Sequence, residues 1–246
     1  MKLRLDQLLL IRKIADDLAT ARALIGAGKI FVNDRLSDKA GSLIAPEAPI
    51  RVKASCPYVS RGGLKLQEAL VRFGLDVTGM VCIDIGASTG GFTDCLLQNG
   101  AGKVYAVDVA YGQLDWKLRQ DPRVVVIERF NARRLTSAHI NELIDLAVLD
   151  ASFISLTKLI PPLVPLFRKN VALIALIKPQ FELSREKIGL GGVVKEALLH
   201  EEALNTIRSF ALQNHLTVKN IITSPILGQK GNKEFLIYLE GSCLNT

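Results

Sequence analysis

The stretch VCIDIGASTGGFT at residues 81–93 constrains the fold of this 246-residue chain more than any other. It begins as an apolar strand through Val81, Ile83 and Ile85, continues into a glycine-rich turn and ends at the start of a helix. Glycine allows positive φ and lets a ligand approach the main chain, and the first turn of a helix offers unpaired N–H groups. The stretch predicts the first strand–helix junction of a doubly wound α/β sheet, where nucleotide-type ligands bind.

The spacing in this turn favours one nucleotide ligand over another. The glycines follow G-x-x-x-G-G, with Asp84 two residues before the first, whereas dinucleotide sites show G-x-G-x-x-G. Asp108 ends the next apolar strand, where a carboxylate can bind both hydroxyls of a ribose. We expect S-adenosylmethionine rather than NAD, the alternative being a turn that binds no ligand. The predicted cofactor-binding residues are Asp84, Gly86, Ala87, Ser88, Thr89, Gly90, Gly91, Phe92, Thr93, Asp108, Val109 and Asn131.

The positive charge of the chain lies mainly near its start. Residues 1–72 carry 13 lysines and arginines against 7 acidic residues, whereas residues 73–246 carry 18 against 17. A basic region of this kind is typical of proteins that bind a polyanion such as nucleic acid. The alternative is a basic surface that contacts only solvent.

The cysteines and the hydropathy pattern narrow the class of protein. None of the four cysteines has the spacing of metal ligands, so we expect no metal site, and thiols of this kind fit the reducing cytoplasm. No apolar run reaches the ~18 residues of a membrane span, and the start MKLRLDQLLL lacks the features of a signal peptide. We expect a cytoplasmic protein with no membrane partner.

The first part of the chain shows two short helical patterns, at 4–11 and 18–27, followed by strand-sized apolar segments. The motifs RLDQLL, TARALIGAGKIFVN and IRV in this part resemble the S4 RNA-binding domain. We assign residues 1–58 to such a small α+β domain, 59–64 to a linker and 65–246 to a second domain. The resemblance implies RNA contacts, mostly with phosphates, by Arg4, Arg12, Lys13, Arg22, Lys29 and, beyond the domain, Arg61.

Strands and helices alternate beyond the glycine-rich turn, which predicts a mostly parallel sheet with helices on both faces. Two apolar strands end at Asp150 and Lys178, and Glu234 opens the last strand of a terminal antiparallel pair. Helices are expected at about residues 155–166, which contain prolines, and at 196–214. Because ligands bind beyond the carboxyl ends of such strands, Asp150 and Lys178 are candidate site residues. The alternative for each is the first solvated position after a strand.

Lys65, Asp150, Lys178 and Glu234 match in order the Lys-Asp-Lys-Glu tetrad of FtsJ-like ribose 2′-O-methyltransferases. Together with the S4-like start, the chain resembles the TlyA family along its whole length through the motifs SRGGLKL, DIGASTGGFTD, LDASFISL, IKPQFE, GGVV and GNKEFL. The resemblance implies a Rossmann-like class I methyltransferase with a seven-stranded sheet. It also implies that S-adenosylmethionine methylates cytidine riboses of ribosomal RNA, with that RNA or ribosomal subunits as partner. Some family members carry a haemolysin label.

The chemistry is consistent with this tetrad. A ribose 2′-hydroxyl is a poor nucleophile, so the site must align it with the methyl donor and help to remove its proton. We expect Lys178 nearest the 2′-oxygen, Asp150 orienting it, and Lys65 with Glu234 positioning the ribose. The sequence leaves open which lysine accepts the proton.

Other functions are less consistent with the sequence than this one. Enzymes that methylate base nitrogens favour N/D-P-P-Y/F where this chain has D-A-S-F, and cytosine carbon-5 enzymes need a nucleophilic cysteine beside the pocket. The remaining alternatives are an RNA-binding or ribosome-associated protein without catalysis, and a membrane-active haemolysin. The oligomeric state stays open, with a monomer among the alternatives.

Overall fold

The chain folds as two compact units, Met1–Cys56 and Pro57–Thr246, in a computed structural model that describes residues 2–53, 56–189 and 191–242. The predicted boundary lay two residues later, and residues 59–64 were predicted as a linker. In the structure these residues belong to the second unit. The N–H of Val59 donates a 2.8 Å hydrogen bond to Asp94 Oδ2, and a helix begins at Gly62.

The N-terminal unit pairs two short helices with two small antiparallel sheets. Its elements are β1 Leu3–Arg4, α1 Leu5–Ile11, α2 Leu18–Gly26, β2 Ile30–Val32, β3 Arg35–Leu36, β4 Leu43–Ile44 and β5 Ile50–Val52. Asp17 caps α2 by accepting a 2.7 Å bond from Thr20 N–H. The β2–β3 turn places Asn33 and Asp34 at positive φ, as a tight hairpin requires. Both helices and the strand that follows them lie where the sequence predicted.

The second unit contains the larger α/β fold. Its strands are β6 Val81–Ile85, β7 Lys103–Val107, β8 Val124–Ile127, β9 Leu146–Leu149, β10 Asn170–Ile177, β11 Leu216–Thr223 and β12 Phe235–Ser242. Its helices are α3 Gly62–Phe73, α4 Gly91–Gln98, α5 Trp116–Arg119, α6 Pro179–Glu182 and α7 Ala197–Gln213. Short 3-10 turns lie at Ala132–Arg134, Leu156–Lys158, Pro161–Leu166, Arg185–Lys187 and Gln229–Gly231.

The seven strands form one sheet in the order β11-β12-β10-β9-β6-β7-β8. Strand β12 is antiparallel to both of its neighbours, while β10, β9, β6, β7 and β8 run parallel. The chain leaves β6 toward β7 and β8 on one side, and returns to β9 and β10 on the other. The switch point therefore lies between β6 and β9, where the carboxyl ends of these strands open a crevice. The predicted mostly parallel seven-stranded fold is confirmed.

Alternating side chains of the sheet feed two separate cores, as the two-residue period of a strand requires. On β6, Ile83 belongs to the same buried core as Ile207 of α7, whereas Cys82 belongs to the other core, which contains Leu66 of α3 and Leu96 of α4. The sheet is thus covered by helices on both faces, in agreement with the sequence. Within the described ranges, none of the helices has the length and apolar character needed to cross a bilayer.

The position of helix α3 follows from the spacing of its apolar residues and from the glycine that ends it. Leu66, Ala69 and Leu70 are buried on one face, with Phe73 partly buried beside them. The helix stops at Gly74, whose φ of 66° gives the left-handed cap that glycine favours. This register carries Lys65, one residue before the buried stripe, into the interior of the unit as well.

The helix predicted at residues 155–166 is wrong. The structure has 3-10 turns at Leu156–Lys158 and Pro161–Leu166 instead. Proline lacks the N–H that a continuous α-helix needs, and its ring clashes with the preceding turn, so three prolines in this stretch prevent one. The helix predicted at 196–214 is confirmed, with bounds Ala197–Gln213.

Two leucines of α7 test the assignment of its buried face. Leu204 is 6% exposed and Leu212 is 78% exposed. We expect Leu204→Ala to lower the free energy of unfolding by about 2–5 kcal/mol, because it removes core contacts and leaves a cavity. Leu212→Ala should change it by less than ~0.5 kcal/mol. Urea denaturation of both variants measures this, and equal losses would contradict the packing described.

Candidate active site

The turn after β6 brings the main chain unusually close to its neighbours. Gly86 and Gly90 have φ values of 82° and 95°. A Cβ at Gly86 would lie 2.8 Å from the backbone oxygen of Asp150, and one at Gly91 would overlap Ser60 Oγ. Only glycine fits these positions. The turn therefore leaves an open cradle in front of the first turn of α4.

Asp84 is a fully buried carboxyl at the end of β6. Its Oδ2 accepts hydrogen bonds from the N–H and the hydroxyl of Thr93, at 3.0 and 2.7 Å. Its Oδ1 is buried and has no hydrogen-bond partner among the described residues. Burial raises the pKa of Asp84 to about 7, and the charges of Asp150 and Asp108 add to the rise while Thr93 opposes it. A buried acceptor without a partner is costly to the folded chain.

Asp108 follows β7 and faces the same turn. Its Oδ2 accepts a 2.7 Å hydrogen bond from Ser88 N–H, and its Oδ1 accepts a 2.8 Å bond from Ala110 N–H. These contacts fix the carboxylate at the mouth of a cavity of about 310 Å³ that Asn131 and the exposed Val109 also line. A carboxylate held in this way can accept the hydroxyls of a ribose.

The sequence did not predict the apolar residues that line this cavity, which is the second of two cavities beside the glycine-rich turn. Phe130, Ala132, Ile154 and Leu159 line it between the ends of β8 and β9. They provide a flat, apolar slot beside Asp108, of the kind that small-molecule sites use for a planar ring. Phe130 and Ala132 flank the predicted Asn131, and Ile154 and Leu159 follow the LDASF segment. These positions were the signal available in the sequence.

Four ionisable side chains from distant parts of the chain meet at the crevice. Lys65 Nζ lies 2.7 Å from Glu234 Oε2 and 4.0 Å from Asp150 Oδ2. Lys178 Nζ lies 2.7 Å from Asp150 Oδ1 and donates a 3.0 Å hydrogen bond to Ser152 Oγ. The four thus form a chain of ion pairs in the order Glu234, Lys65, Asp150, Lys178.

Most of this cluster is removed from solvent. Lys65, Lys178 and Glu234 are buried, while the side chain of Asp150 is 21% exposed. Two cations and two anions balance, so no charge is buried without a partner. Because Asp150 bridges both lysines and is the most exposed member, an incoming polar group would meet the cluster between the lysines.

The cluster lines a cavity of about 290 Å³ that adjoins the second one. Gly86, Ser88, Asp150, Ser152 and Phe153 line both cavities. A ligand in the second cavity therefore lies next to one in the first, across the glycine-rich turn. This adjacency is the geometry that a group transfer between two bound molecules needs.

The predicted turn residues divide between the cavity and the interior. Ala87, Ser88, Thr89, Gly91 and Phe92 line the first cavity with Gly86. Gly90 instead packs against the side chains of Leu114 and Leu118, and Thr93 is buried on Asp84. Asp84, Gly90 and Thr93 line neither cavity, although all three belong to the predicted cofactor-binding set.

Sequence reasoning missed several residues of the first cavity. Its wall includes Ser152, Phe153, Gln180, Phe181 and Gly228. Gly228 has a particular role, because a Cβ there would overlap Glu234 Oε1. The loop that precedes β12 therefore packs directly on the carboxylate that holds Lys65. This loop shows no periodic pattern from which the contact could be predicted. Of the other missed residues, Gln180 and Phe181 lie within the motif IKPQFE.

The predicted RNA-binding residues lie in both units. Arg61 lines the first cavity. In the N-terminal unit, Arg4 and Arg22 both bind Asp6, and Arg12 donates to the backbone oxygen of Pro46. Lys13 is exposed and Lys29 is partly exposed. The structure thus brings together two of the five cations predicted to bind RNA in this unit.

Comparison with known proteins gives a consistent result. The family described as FtsJ-like methyltransferase matches residues 58–241. "Putative rRNA methyltransferase YqxC" of Bacillus subtilis is 46% identical over 97% of this chain and 85% of its own. "Hemolysin A" of Brachyspira hyodysenteriae is 41% identical over 96% of this chain and 99% of its own.

Two further comparisons extend this result. "16S/23S rRNA (cytidine-2'-O)-methyltransferase TlyA" of Mycobacterium tuberculosis is 40% identical over 96% of this chain and 89% of its own. A solved structure titled "Putative hemolysin from Streptococcus thermophilus" has 44% identity and a TM-score of 0.76, covering 98% of this chain and 89% of that one.

The buried carboxyl of Asp84 predicts a pH dependence of stability. Its pKa is about 7 in the folded chain and near 3.8 when unfolded, so the folded state keeps a proton that the unfolded state releases between these values. Stability is therefore lost as pH rises through this window. We expect Asp84→Asn to gain stability over the parent chain between pH 4 and 8, by an amount on the order of 4 kcal/mol.

Denaturant unfolding of both chains across this range measures the difference. Asp76→Asn is the control, because hydrogen bonds from Thr78 lower the pKa of that exposed carboxyl and the sign should reverse. Parallel pH profiles of the parent and Asp84→Asn chains would contradict the assignment.

Proposed function

Because this chain belongs to the FtsJ-like methyltransferase family, we propose that it transfers a methyl group from S-adenosylmethionine to a ribose 2′-hydroxyl of ribosomal RNA, at cytidine. The observation that carries this proposal is the ion-pair chain Glu234–Lys65–Asp150–Lys178 beside the glycine-rich turn. Such a cluster can bind a hydroxyl, and a lysine of the cluster in its neutral form can accept the hydroxyl proton, which is the assistance that a ribose oxygen needs.

The residues around the turn fit the methyl donor. Asp108 and Asn131 would hold its ribose, and the apolar slot at Phe130 and Leu159 would hold its adenine. The cradle in front of α4 would hold its amino-acid end. When bound, S-adenosylmethionine supplies an electrophilic methyl group on a sulfonium sulfur.

The ionisable cluster would act on the acceptor. Lys178 Nζ, fixed by Asp150 and Ser152, would bind the 2′-oxygen. Asp150 orients that lysine and shares its charge with Lys65. Lys65 and Glu234 would position the ribose. Because these side chains are held in place before the substrate arrives, little reorganisation is required during the reaction.

The relatives support the identity of the acceptor. The Mycobacterium tuberculosis relative is named for cytidine-2′-O methylation of 16S and 23S rRNA, and one from Campylobacter jejuni, 36% identical, for 23S rRNA. We also propose that the N-terminal unit is an S4-type RNA-binding domain, since its basic residues and its two-helix start fit that role. A ribosomal RNA substrate places the protein in the cytoplasm.

A labelled-methyl assay on ribosomal RNA and on isolated ribosomal subunits tests the function, with the modified nucleotide mapped by mass spectrometry. The expected product is a 2′-O-methylcytidine. An RNA-binding protein without catalysis would leave the RNA unlabelled. A vesicle leakage assay with the same preparation examines the property that the haemolysin names of some relatives suggest.

Lys178→Ala should lower the rate of methyl transfer by roughly 10²- to 10⁴-fold, because it removes the group that binds the reacting oxygen. Binding of S-adenosylmethionine, measured by calorimetry, should persist. Lys158→Ala is the matched control, since Lys158 is exposed and lines neither cavity. Full activity of Lys178→Ala would remove this lysine from the mechanism.

Asp108→Ala should show the converse pattern. We expect its affinity for S-adenosylmethionine to fall about tenfold or more, since charge-assisted hydrogen bonds to the ribose are lost. At saturating cofactor the rate of methyl transfer should recover in large part. Unchanged affinity in calorimetry would show that the ribose lies elsewhere.

A further inference from the structure

Asp6 is a buried carboxylate in the first turn of α1, within the basic N-terminal unit. It is fully removed from solvent. Hydrogen bonds from Arg4, the largest cause, and from Arg22 lower the pKa of Asp6 to about 2, although burial opposes them. The group is therefore ionised at neutral pH. A buried charge of this kind depends on its partners, and both of its ionic partners are arginines.

The two arginines bind Asp6 through one side of their guanidinium groups. Arg4 donates from Nε to Oδ1 at 3.1 Å and from Nη2 to Oδ2 at 2.9 Å. Arg22 donates from Nε to Oδ2 at 3.1 Å. Since both donate to Oδ2 of Asp6, the two guanidinium groups are held at the same carboxylate.

The other side of each guanidinium group stays available. The side chains of Arg4 and Arg22 are 46% and 57% exposed, and no described residue accepts a hydrogen bond from Nη1 of either. Gly41 lies beside the guanidinium group of Arg4, where an added Cβ would be 3.5 Å from Nη1, an ordinary van der Waals contact. An arginine end of this kind matches a phosphate bidentately.

We propose that Asp6 is a positioning residue that presents Arg4 and Arg22 as a paired binding site for a phosphate of the RNA backbone. The identity of the polyanion as ribosomal RNA rests on the proposed function, whereas the paired site rests on the contacts of Asp6. A free arginine loses side-chain entropy when it binds a phosphate. Here Asp6 has already fixed both side chains, so less is lost on binding.

The proposal and simple electrostatics predict opposite changes in RNA affinity when the charge of Asp6 is removed. Removing a negative charge from a basic surface should strengthen its attraction for a polyanion. If Asp6 positions the arginines, removing its charge should instead weaken binding, although the net charge becomes more positive. The direction of the change therefore separates the two roles.

The test compares Asp6→Asn with the full-length parent chain, by fluorescence anisotropy with a labelled ribosomal RNA hairpin over a range of salt concentrations. We expect the affinity of Asp6→Asn to fall about tenfold and its salt slope to drop by about 1. The matched control is Asp16→Asn, which makes the same charge change at an exposed site that forms no ion pair with a described residue. Its affinity should be unchanged or higher. Tighter binding by Asp6→Asn would overturn the proposal.

A mutant cycle shows whether Asp6 acts through the arginines. In a chain that already carries Arg4→Ala and Arg22→Ala, Asp6→Asn should cause no further loss of affinity. A full additional loss there would overturn the proposal. If circular dichroism shows that Asp6→Asn unfolds the N-terminal unit, the chain with Arg4→Lys and Arg22→Lys decides instead. This chain keeps both positive charges but lacks the bidentate guanidinium groups. RNA binding as tight as that of the parent chain would overturn the proposal.

The methylation assay on the parent chain keeps the two proposals distinct. Arginine- and Asp6-dependent RNA binding without methyl transfer would reject the enzymatic function and leave the paired site standing. Methyl transfer with RNA binding that is indifferent to Asp6 would do the reverse.

Discussion

The ion-pair chain from Glu234 through Lys65 and Asp150 to Lys178 is the interaction on which the rest of the candidate site depends. Three of its members are buried and Asp150 is partly exposed, so removing one member would leave the charges of the others less well balanced in a poorly solvated place. The site is therefore assembled as a whole. Its four members come from a helix start, two strand ends and the approach to the last strand, so the sheet must be complete before the charges can balance.

The glycine-rich turn connects this cluster with the second cavity. Gly86 lies against the backbone of Asp150, and Gly91 lies against the start of the helix that carries Lys65. The same backbone thus shapes the cofactor cradle and supports the acceptor site. A side chain added at Gly86 would disturb both cavities, and one added at Gly91 would disturb the first.

Much of this arrangement could be read from the sequence, and the reasons are local. Apolar strands that end in a charge predicted where Asp150 and Lys178 lie, and the period of the following helices predicted the doubly wound sheet. The helix predicted in the proline-rich stretch before β10 is replaced by 3-10 turns. Its apolar spacing is typical of a helix, but the prolines lack the N–H groups that an α-helix needs.

Contacts made by irregular loops could not be predicted from the sequence. Gly228 reaches Glu234 only because its loop folds back, and nothing in the loop's own sequence specifies that. Asp6 is a second case. The basic residues around it suggested independent, solvated charges, whereas the structure shows a buried carboxylate that binds two of them. Its role depends on the packing of α1 against α2, which has no signal at a single position.

The reversed direction of β12 has a consequence for how the site is completed. In a parallel strand, the residue at the crevice is the one that leaves the strand, but in β12 it is Glu234, which enters it. This strand also lies between β10 and β11, both of which precede it along the chain. During synthesis the earlier strands can form while Lys65 has only the more distant carboxylate of Asp150. Insertion of the last described strand then closes the sheet and brings Glu234 to that lysine in one event, so a half-made chain lacks the complete centre.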